Sequence, residues 1–146
     1  MRKFIVSDLH GDGNIYDSII SYLENIYNET NEDITLYING DLIDRGYDVA
    51  RMLLDVRDRI ISDKGIKIEY LGGNHELLMY QALRKGITNT WPKHSDWFDN
   101  GGFMTAYSLE DTLYNYDNEQ FNKQLKELFD FISNLKIYHK FSEELN

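Results

Sequence analysis

The chain has 146 residues, and its 25 acidic side chains against 15 lysines and arginines give a formal net charge of −10 at pH 7. This length suits one domain or part of one, and a hydrophobic fraction of 42% excludes a disordered acidic tail. The charge argues against nucleic acid and anionic membranes as partners, and the absence of cysteine excludes disulfides and thiolate metal sites. No apolar run approaches the roughly 20 residues that span a bilayer, so we expect a soluble, cytoplasmic chain.

Short apolar runs alternate with helical patterns along the first part of the chain. Runs of β-forming residues predict strands over 3–7, 34–38 and 66–71. Apolar residues at helical spacing predict helices over 15–28 and 48–62, and a third that includes Leu77 and ends at Lys85-Gly86. Strands separated by helices indicate βαβ units with parallel strands and right-handed crossovers, so we predict an α/β fold.

The second part of the chain has a weaker pattern. Residues 87–118 are predicted to be loop with one short helix near 103–113. Apolar spacing then predicts a helix over 119–134. The tail over 135–141 alternates apolar and polar residues, which predicts the start of another strand.

Each of the three predicted strands runs directly into a cluster of polar residues. The clusters are Asp8-Leu9-His10-Gly11, Gly40-Asp41-Leu42-Ile43-Asp44-Arg45-Gly46 and Gly73-Asn74-His75-Glu76. Ligands of open α/β sheets bind beyond the carboxyl ends of the strands, so we expect the three clusters to converge in one cleft. The clusters recur at equal spacing, one βαβ unit apart, which separate surface turns would not produce.

Four residues of these clusters indicate a metal site: Asp8, His10, Asp41 and Asn74. They supply carboxylate, imidazole and amide donors without sulfur, a set that suits manganese, iron or zinc. A carboxylate such as Asp41 can bridge two cations, and such pairs activate water and hold a phosphoryl group for in-line displacement. The donor types therefore favour hydrolysis of a phosphoester.

Three further residues fit the same reaction. Arg45 is the residue type that binds phosphate through a planar pair of N–H donors. His75 follows Asn74 directly, so its imidazole can serve as a general acid toward the leaving oxygen, with Asp44 to orient it. We therefore predict Arg45 as the phosphate-binding residue and His75 with Asp44 as the catalytic pair.

The three clusters resemble the motifs of the calcineurin-like metallophosphoesterases, and more narrowly those of the bacterial serine/threonine phosphoprotein phosphatases. The stretch Trp97-Phe98-Asp99-Asn100-Gly101-Gly102 resembles the Trp-x-x-Asn-Gly-Gly sequence that bacterial members carry after the third block. The resemblance implies a two-layer β-sandwich flanked by helices, of which this chain holds the N-terminal βαβαβ half.

The resemblance also implies a binuclear phosphatase that acts on phosphorylated proteins or small phosphoesters. Asp8 and His10 would bind one metal, Asp41 would bridge, and Asn74 would bind the second. Manganese is the expected metal, with iron or zinc as alternatives. Arg45 would hold the phosphate, and His75 with Asp44 would donate the proton.

Members of the resembled family take two further histidines and an arginine from the region after the third block. Here His94 is expected to have a surface or loop-packing role, and His139 to be an ordinary strand residue. We therefore expect residues 1–146 to be the N-terminal part of a longer domain, with weak binding of one metal and little hydrolase activity alone. An uncovered sheet edge would then favour self-association.

Two alternatives to a protein phosphatase stay open at the level of the sequence. The first is a symmetrical dinucleoside tetraphosphate hydrolase, which shares the second block but usually has aspartate at the position of Glu76. The second is a non-catalytic binding protein built on a degenerate phosphatase scaffold.

Overall fold

The computed structural model describes residues 1–62, 65–85 and 91–137. Within this part, three parallel strands form one sheet in the order β1-β2-β3. The strands are β1 (Arg2–Val6), β2 (Ile34–Asn39) and β3 (Ile66–Leu71). The helices are α1 (Gly13–Thr30), α2 (Val49–Ser62), α3 (Asn74–Leu83), α4 (Phe103–Thr112) and α5 (Asn118–Ser133), and a π-helical turn at Phe98–Gly102 leads into α4. The predicted α/β class and βαβαβ order are confirmed.

The register of the sheet brings the carboxyl ends of the three strands to one edge. Ile38 of β2 pairs with Val6 of β1 on one side and with Tyr70 of β3 on the other. Because neighbouring strands lie about 4.8 Å apart, the residues that follow them emerge side by side. The loops that carry the three polar clusters therefore start from adjacent positions.

Position in the sheet explains which strand is buried. The central strand β2 is buried from Ile34 to Ile38, as expected of a strand with neighbours on both sides. The edge strand β1 exposes Ile5, whose relative exposure is 62%. Self-association through such an edge stays a prediction.

Polar caps extend two helices beyond the predicted apolar stripes. The Asp12 side chain accepts a hydrogen bond from the Ile15 N–H at 3.1 Å, so α1 begins before the predicted residue 15. At α3, the Glu76 carboxylate accepts from the Gly73 N–H at 2.8 Å. Asn74 is consequently the first residue of α3, although the apolar stripe indicated a helix only from Leu77.

In the second part of the chain, α4 and α5 match the helices predicted over 103–113 and 119–134. The loop predicted before α4 is found only in part, because the π-helical turn at Phe98–Gly102 is kinked: Asn100 and Gly101 have non-helical backbone angles, with φ of −98° and +99°. His94 is exposed, in agreement with the surface role expected of it. The predicted tail strand is represented by one parallel bridge between Leu71 and Lys136, and residues 138–141, including His139, lie outside the described residues.

The helices of the described ranges include none that is both long enough and apolar enough for a transmembrane segment.

A close steric constraint at the sheet edge lies at Gly40, which follows β2 with φ of +74°. A Cβ there would lie 2.6 Å from the Gly73 Cα, so Gly40→Ala adds a backbone clash to left-handed strain. Gly65 is the matched control, because its φ is +72° and nothing lies within 4 Å of an added Cβ. We expect chemical denaturation to show a loss of about 3 kcal/mol for Gly40→Ala and about 1 kcal/mol for Gly65→Ala. Equal losses would contradict the close approach of the two loops.

Candidate active site

Backbone hydrogen bonds join the first polar loop to the second. The N–H groups of His10 and Gly11 donate to the carbonyls of Asp41 and Leu42 at 3.0 and 2.9 Å. The third loop is fixed to the same place, because the His75 N–H donates to Oδ1 of Asp41 at 2.9 Å. The three clusters therefore converge beyond the carboxyl edge of the sheet, as the sequence predicted.

Five of the seven predicted site residues share an unusual backbone conformation. Left-handed φ angles occur at Asp8 (55°), His10 (42°), Asp41 (53°), Asp44 (71°) and Arg45 (71°). In the described part of the chain the only other non-glycine residue with positive φ is the helix-capping residue Asn31. This conformation costs about 1–2 kcal/mol at each residue with a Cβ, and such strain concentrates at functional sites.

Asp8, His10 and Asp41 form a group suited to a metal ion. Each offers one ligand atom, and these atoms lie within 4.8 Å of one another. Nδ1 of His10 lies 2.9 Å from the Ile43 carbonyl oxygen, which can only accept, so Nδ1 carries the proton and Nε2 keeps its lone pair. Histidines that bind metals commonly donate their other N–H to a carbonyl in this way. The donor set therefore fits a divalent cation such as manganese, iron or zinc.

The fourth predicted ligand, Asn74, lies beside Asp41 in an exposed position. Both of its chain neighbours approach Asp41. The His75 N–H donates to Oδ1 of Asp41, and a Cβ on Gly73 would lie 2.6 Å from the Asp41 N. Within residues 1–62, 65–85 and 91–137, the Asp8, His10 and Asp41 group is the one cluster of three or more acidic, histidine or cysteine ligands.

His75 and Asp44 form a buried pair next to this group. Nδ1 of His75 lies 2.8 Å from Oδ2 of Asp44, and the two residues are 3% and 0% exposed. The His75 ring packs edge-on against the His10 ring with centroids 4.7 Å apart. With the Nδ1 proton donated to Asp44, Nε2 is the nitrogen of His75 left for proton exchange with a substrate.

Asp44 is held by residues that the sequence analysis did not assign to the site. Oδ1 of Asp44 accepts from Nε1 of Trp97 at 3.0 Å and from the Thr105 hydroxyl at 2.6 Å. Burial raises the pKa of the Asp44 carboxyl, and hydrogen bonds from Thr105, His75 and Trp97 oppose that shift. The sequence offered only a general indication of the role of Trp97: the indole N–H of a buried tryptophan needs a hydrogen-bond acceptor.

Glu76 has a structural role that its sequence position did not indicate. Its Oε1 accepts from the Tyr70 hydroxyl at 2.7 Å and the Leu42 N–H at 2.9 Å, and its Oε2 accepts from the Asp41 N–H at 3.0 Å and the Gly73 N–H at 2.8 Å. The residue is 2% exposed. Glu76 therefore fixes the start of the second loop and the start of α3 with one side chain.

Arg45 is exposed at the end of the same loop. Its backbone N–H donates to the Gly101 carbonyl at 3.2 Å. The structure gives its guanidinium no ion pair with the residues that are described. Arg45 is also the only lysine or arginine among residues 7–12, 40–48 and 72–75, so it is the side-chain cation that these loops offer an anion.

Comparison with known proteins identifies one family. A sequence model of the calcineurin-like phosphoesterases matches residues 1–142. A search of curated proteins gave no significant match. Among solved structures, a mutant of a cold-active protein tyrosine phosphatase matches at 20% identity with a TM-score of 0.41, over 68% of this chain and 34% of that one. The chain thus spans well under half the length of that structure, and a likeness at this level carries no argument about activity.

Glu76→Gln tests the junction between the loops. An NH₂ group at the Oε2 position would face the N–H groups of Asp41 and Gly73, and at the Oε1 position it would face the Leu42 N–H, so in either orientation at least one backbone donor is left without its acceptor. We expect a loss of about 3 kcal/mol in the free energy of unfolding and weaker manganese binding, because the Asp41 loop is released. Tyr70→Phe is the control, since it removes one of these bonds and should cost about 1 kcal/mol. Denaturant titration and calorimetry measure both quantities, and unchanged manganese affinity in Glu76→Gln would contradict the role of Glu76.

Proposed function

The chain belongs to the calcineurin-like phosphoesterase family, and we propose that it is a metal-dependent phosphomonoesterase that acts on phosphorylated serine and threonine in proteins. The observation that carries the proposal is the contact between a group of metal ligands and a histidine–aspartate pair suited to proton transfer. The metal-ligand group of Asp8, His10 and Asp41 adjoins the buried His75–Asp44 pair through the two histidine rings, whose centroids lie 4.7 Å apart.

We assign the metal ligands as the sequence suggested. Asp8 and His10 would hold one divalent cation, Asp41 would bridge, and Asn74 would contribute to the second, with manganese foremost and iron or zinc as alternatives. When bound, the cations supply Lewis-acid polarisation of the phosphoryl oxygens and activation of water. Two observations support this assignment. Nε2 of His10 keeps its lone pair, and the ligand atoms of Asp8, His10 and Asp41 lie within 4.8 Å of one another.

Side chains of the protein bind the phosphoryl group and protonate the leaving oxygen. Arg45 binds the nonbridging oxygens of the phosphoryl group, which positions phosphorus for attack by water. As the new P–O bond forms and the ester P–O bond breaks, the attacking water gives up one proton to bulk water, and the leaving oxygen takes a proton from Nε2 of His75, which regains one from bulk water after the alcohol leaves. Asp44 holds the other nitrogen of His75, so the imidazole keeps its orientation and the positive charge of its protonated form is stabilised.

A single phosphate suits the site better than a chain of phosphates. Arg45 is the one side-chain cation in residues 7–12, 40–48 and 72–75, and the chain carries a formal net charge of −10. A dinucleoside tetraphosphate brings several negative charges along its polyphosphate, and the protein field would repel those that the metals and Arg45 do not neutralise. This supports phosphomonoesters over dinucleoside polyphosphates as substrates.

Two substitutions separate metal binding from proton donation. In the full-length protein, we expect Asp41→Asn to abolish manganese binding together with hydrolysis of nitrophenyl phosphate, because it removes the bridging charge. We expect His75→Ala to keep the bound manganese and to lower kcat by about 10²–10⁴-fold through loss of the general acid. Metal analysis and steady-state kinetics measure the two effects.

The matched control for this pair is His94→Ala, since His94 is exposed and lies outside the three polar clusters in sequence. It should change neither manganese content nor kcat. Loss of metal in His75→Ala with retention in Asp41→Asn would reverse the assignment. Full manganese binding by the unchanged full-length protein without any hydrolysis would instead favour a non-catalytic binding protein.

The substrate class is tested by direct competition. With manganese present, we expect a phosphoserine or phosphothreonine peptide to be hydrolysed with a higher kcat/KM than diadenosine tetraphosphate, because only the latter places several charges near one arginine. Phosphate release and nucleotide chromatography measure the two reactions. A higher kcat/KM for the tetraphosphate would identify the protein as a dinucleoside polyphosphate hydrolase.

A further inference from the structure

Residues 97–105, which we call the 97–105 segment, run from Trp97 through the π-helical turn into the first turn of α4. They lie directly against two consecutive residues in left-handed conformation, Asp44 and Arg45, each with φ of 71°. Two adjacent left-handed residues with side chains are costly to maintain, and such a pair persists only where its surroundings determine it.

Thr105 fixes Asp44 through both its backbone and its side chain. The Asp44 N–H donates to the Thr105 hydroxyl oxygen at 3.0 Å, and the same hydroxyl donates its proton to Oδ1 of Asp44 at 2.6 Å. Thr105 is completely buried, so water cannot replace either bond. One hydroxyl therefore sets the position of the main chain and of the carboxylate at once.

Trp97 completes the arrangement from the other end of the segment. Its indole is completely buried, and Nε1 donates to the same Oδ1 of Asp44 at 3.0 Å. Oδ1 is therefore occupied by Trp97 and Thr105, and Oδ2 is left to His75 at 2.8 Å. This division of the two oxygens determines the direction in which Asp44 faces His75.

Gly101 places Arg45 from the middle of the segment. The Arg45 N–H donates to the Gly101 carbonyl at 3.2 Å, and a Cβ on Gly101 would lie 2.8 Å from Cγ of Arg45. Gly101 has a φ of +99°, which residues with a Cβ rarely adopt. A side chain here would strain the turn and displace the Arg45 side chain.

We propose that the 97–105 segment is the positioning element of the site: Trp97 and Thr105 orient His75 through Asp44, and Gly101 sets the position of Arg45. This rests on the proposed function for the roles of His75 and Arg45. The segment touches neither the reacting phosphate nor the metal ligands in this account, and it acts through the two residues that it holds.

The direct test observes the His75–Asp44 bond without metal and without substrate. In protein labelled with ¹⁵N-histidine, the buried Nδ1–H of His75 should give a downfield proton signal protected from exchange. We expect Thr105→Val and Trp97→Phe to shift or abolish this signal, and Thr105→Ser, which keeps the hydroxyl, to restore it. Trp97→Phe keeps an aromatic ring in the core, so this variant tests the proposal if Thr105→Val fails to fold.

The control for these variants is Ser108→Ala in the same helix. The Ser108 hydroxyl accepts from the Ala50 N–H at 2.9 Å, so its loss also removes a buried side-chain bond to the backbone, but one without contact to Asp44. The signal of His75 should be unchanged in Ser108→Ala. A signal that stays at its original position in both Thr105→Val and Trp97→Phe overturns the proposal, and so does its absence from the unchanged protein.

Kinetics separate the two halves of the segment. Thr105→Val and Trp97→Phe should lower kcat for nitrophenyl phosphate by about 10–100-fold with little change in KM. This range is typical of residues that orient a catalytic group without touching the substrate. Gly101→Ala should mainly raise KM, because it displaces the phosphate-binding Arg45. The same KM increase in all three variants overturns the division of roles. The kinetic variants are compared in the full-length protein, where absence of hydrolysis by the unchanged protein would count against the proposed function alone, since the histidine signal tests the positioning without turnover.

Discussion

The buried carboxylate of Glu76 is the interaction on which the arrangement of the site depends. Its two oxygens accept from three backbone N–H groups and the Tyr70 hydroxyl, with no lysine or arginine bound to it in the described structure. It joins the end of β2 to the start of α3, and these are the two places from which Asp41 and His75 project. An aspartate would hold its carboxylate one methylene further from the same donors, so the junction as it stands depends on the length of the glutamate side chain.

Asp44 is the second buried carboxylate, and it connects the site to the rest of the fold. Its bonds to Trp97 and Thr105 tie the loop after β2 to the beginning of α4, while its bond to His75 reaches α3. The left-handed backbone at the site residues is thus stabilised by many specific hydrogen bonds rather than by local preference. The sheet supplies only the starting positions of the loops, and the two carboxylates determine their final geometry.

The strands and the meeting of the three polar loops could be predicted because both depend on local sequence. An apolar run followed by polar residues marks a buried strand and the loop beyond it, which is how Asp8, Asp41 and Asn74 were found. The contacts of Trp97 and Thr105 with Asp44 could not be predicted, because their partner lies far away in sequence and no periodic pattern records it. The first turn of α3 was missed for a related reason: Asn74, His75 and Glu76 are polar, so the apolar stripe begins only after them.

The central claim is that Asp8, His10 and Asp41 bind a catalytic metal beside a phosphate held by Arg45. A crystal structure of the protein grown with manganese and phosphate, with anomalous diffraction data to locate the metal, tests it most directly. We expect a manganese peak between these three side chains, with Nε2 of His10 as a ligand and phosphate in contact with Arg45. Manganese bound elsewhere, with the three side chains free of metal, would contradict it.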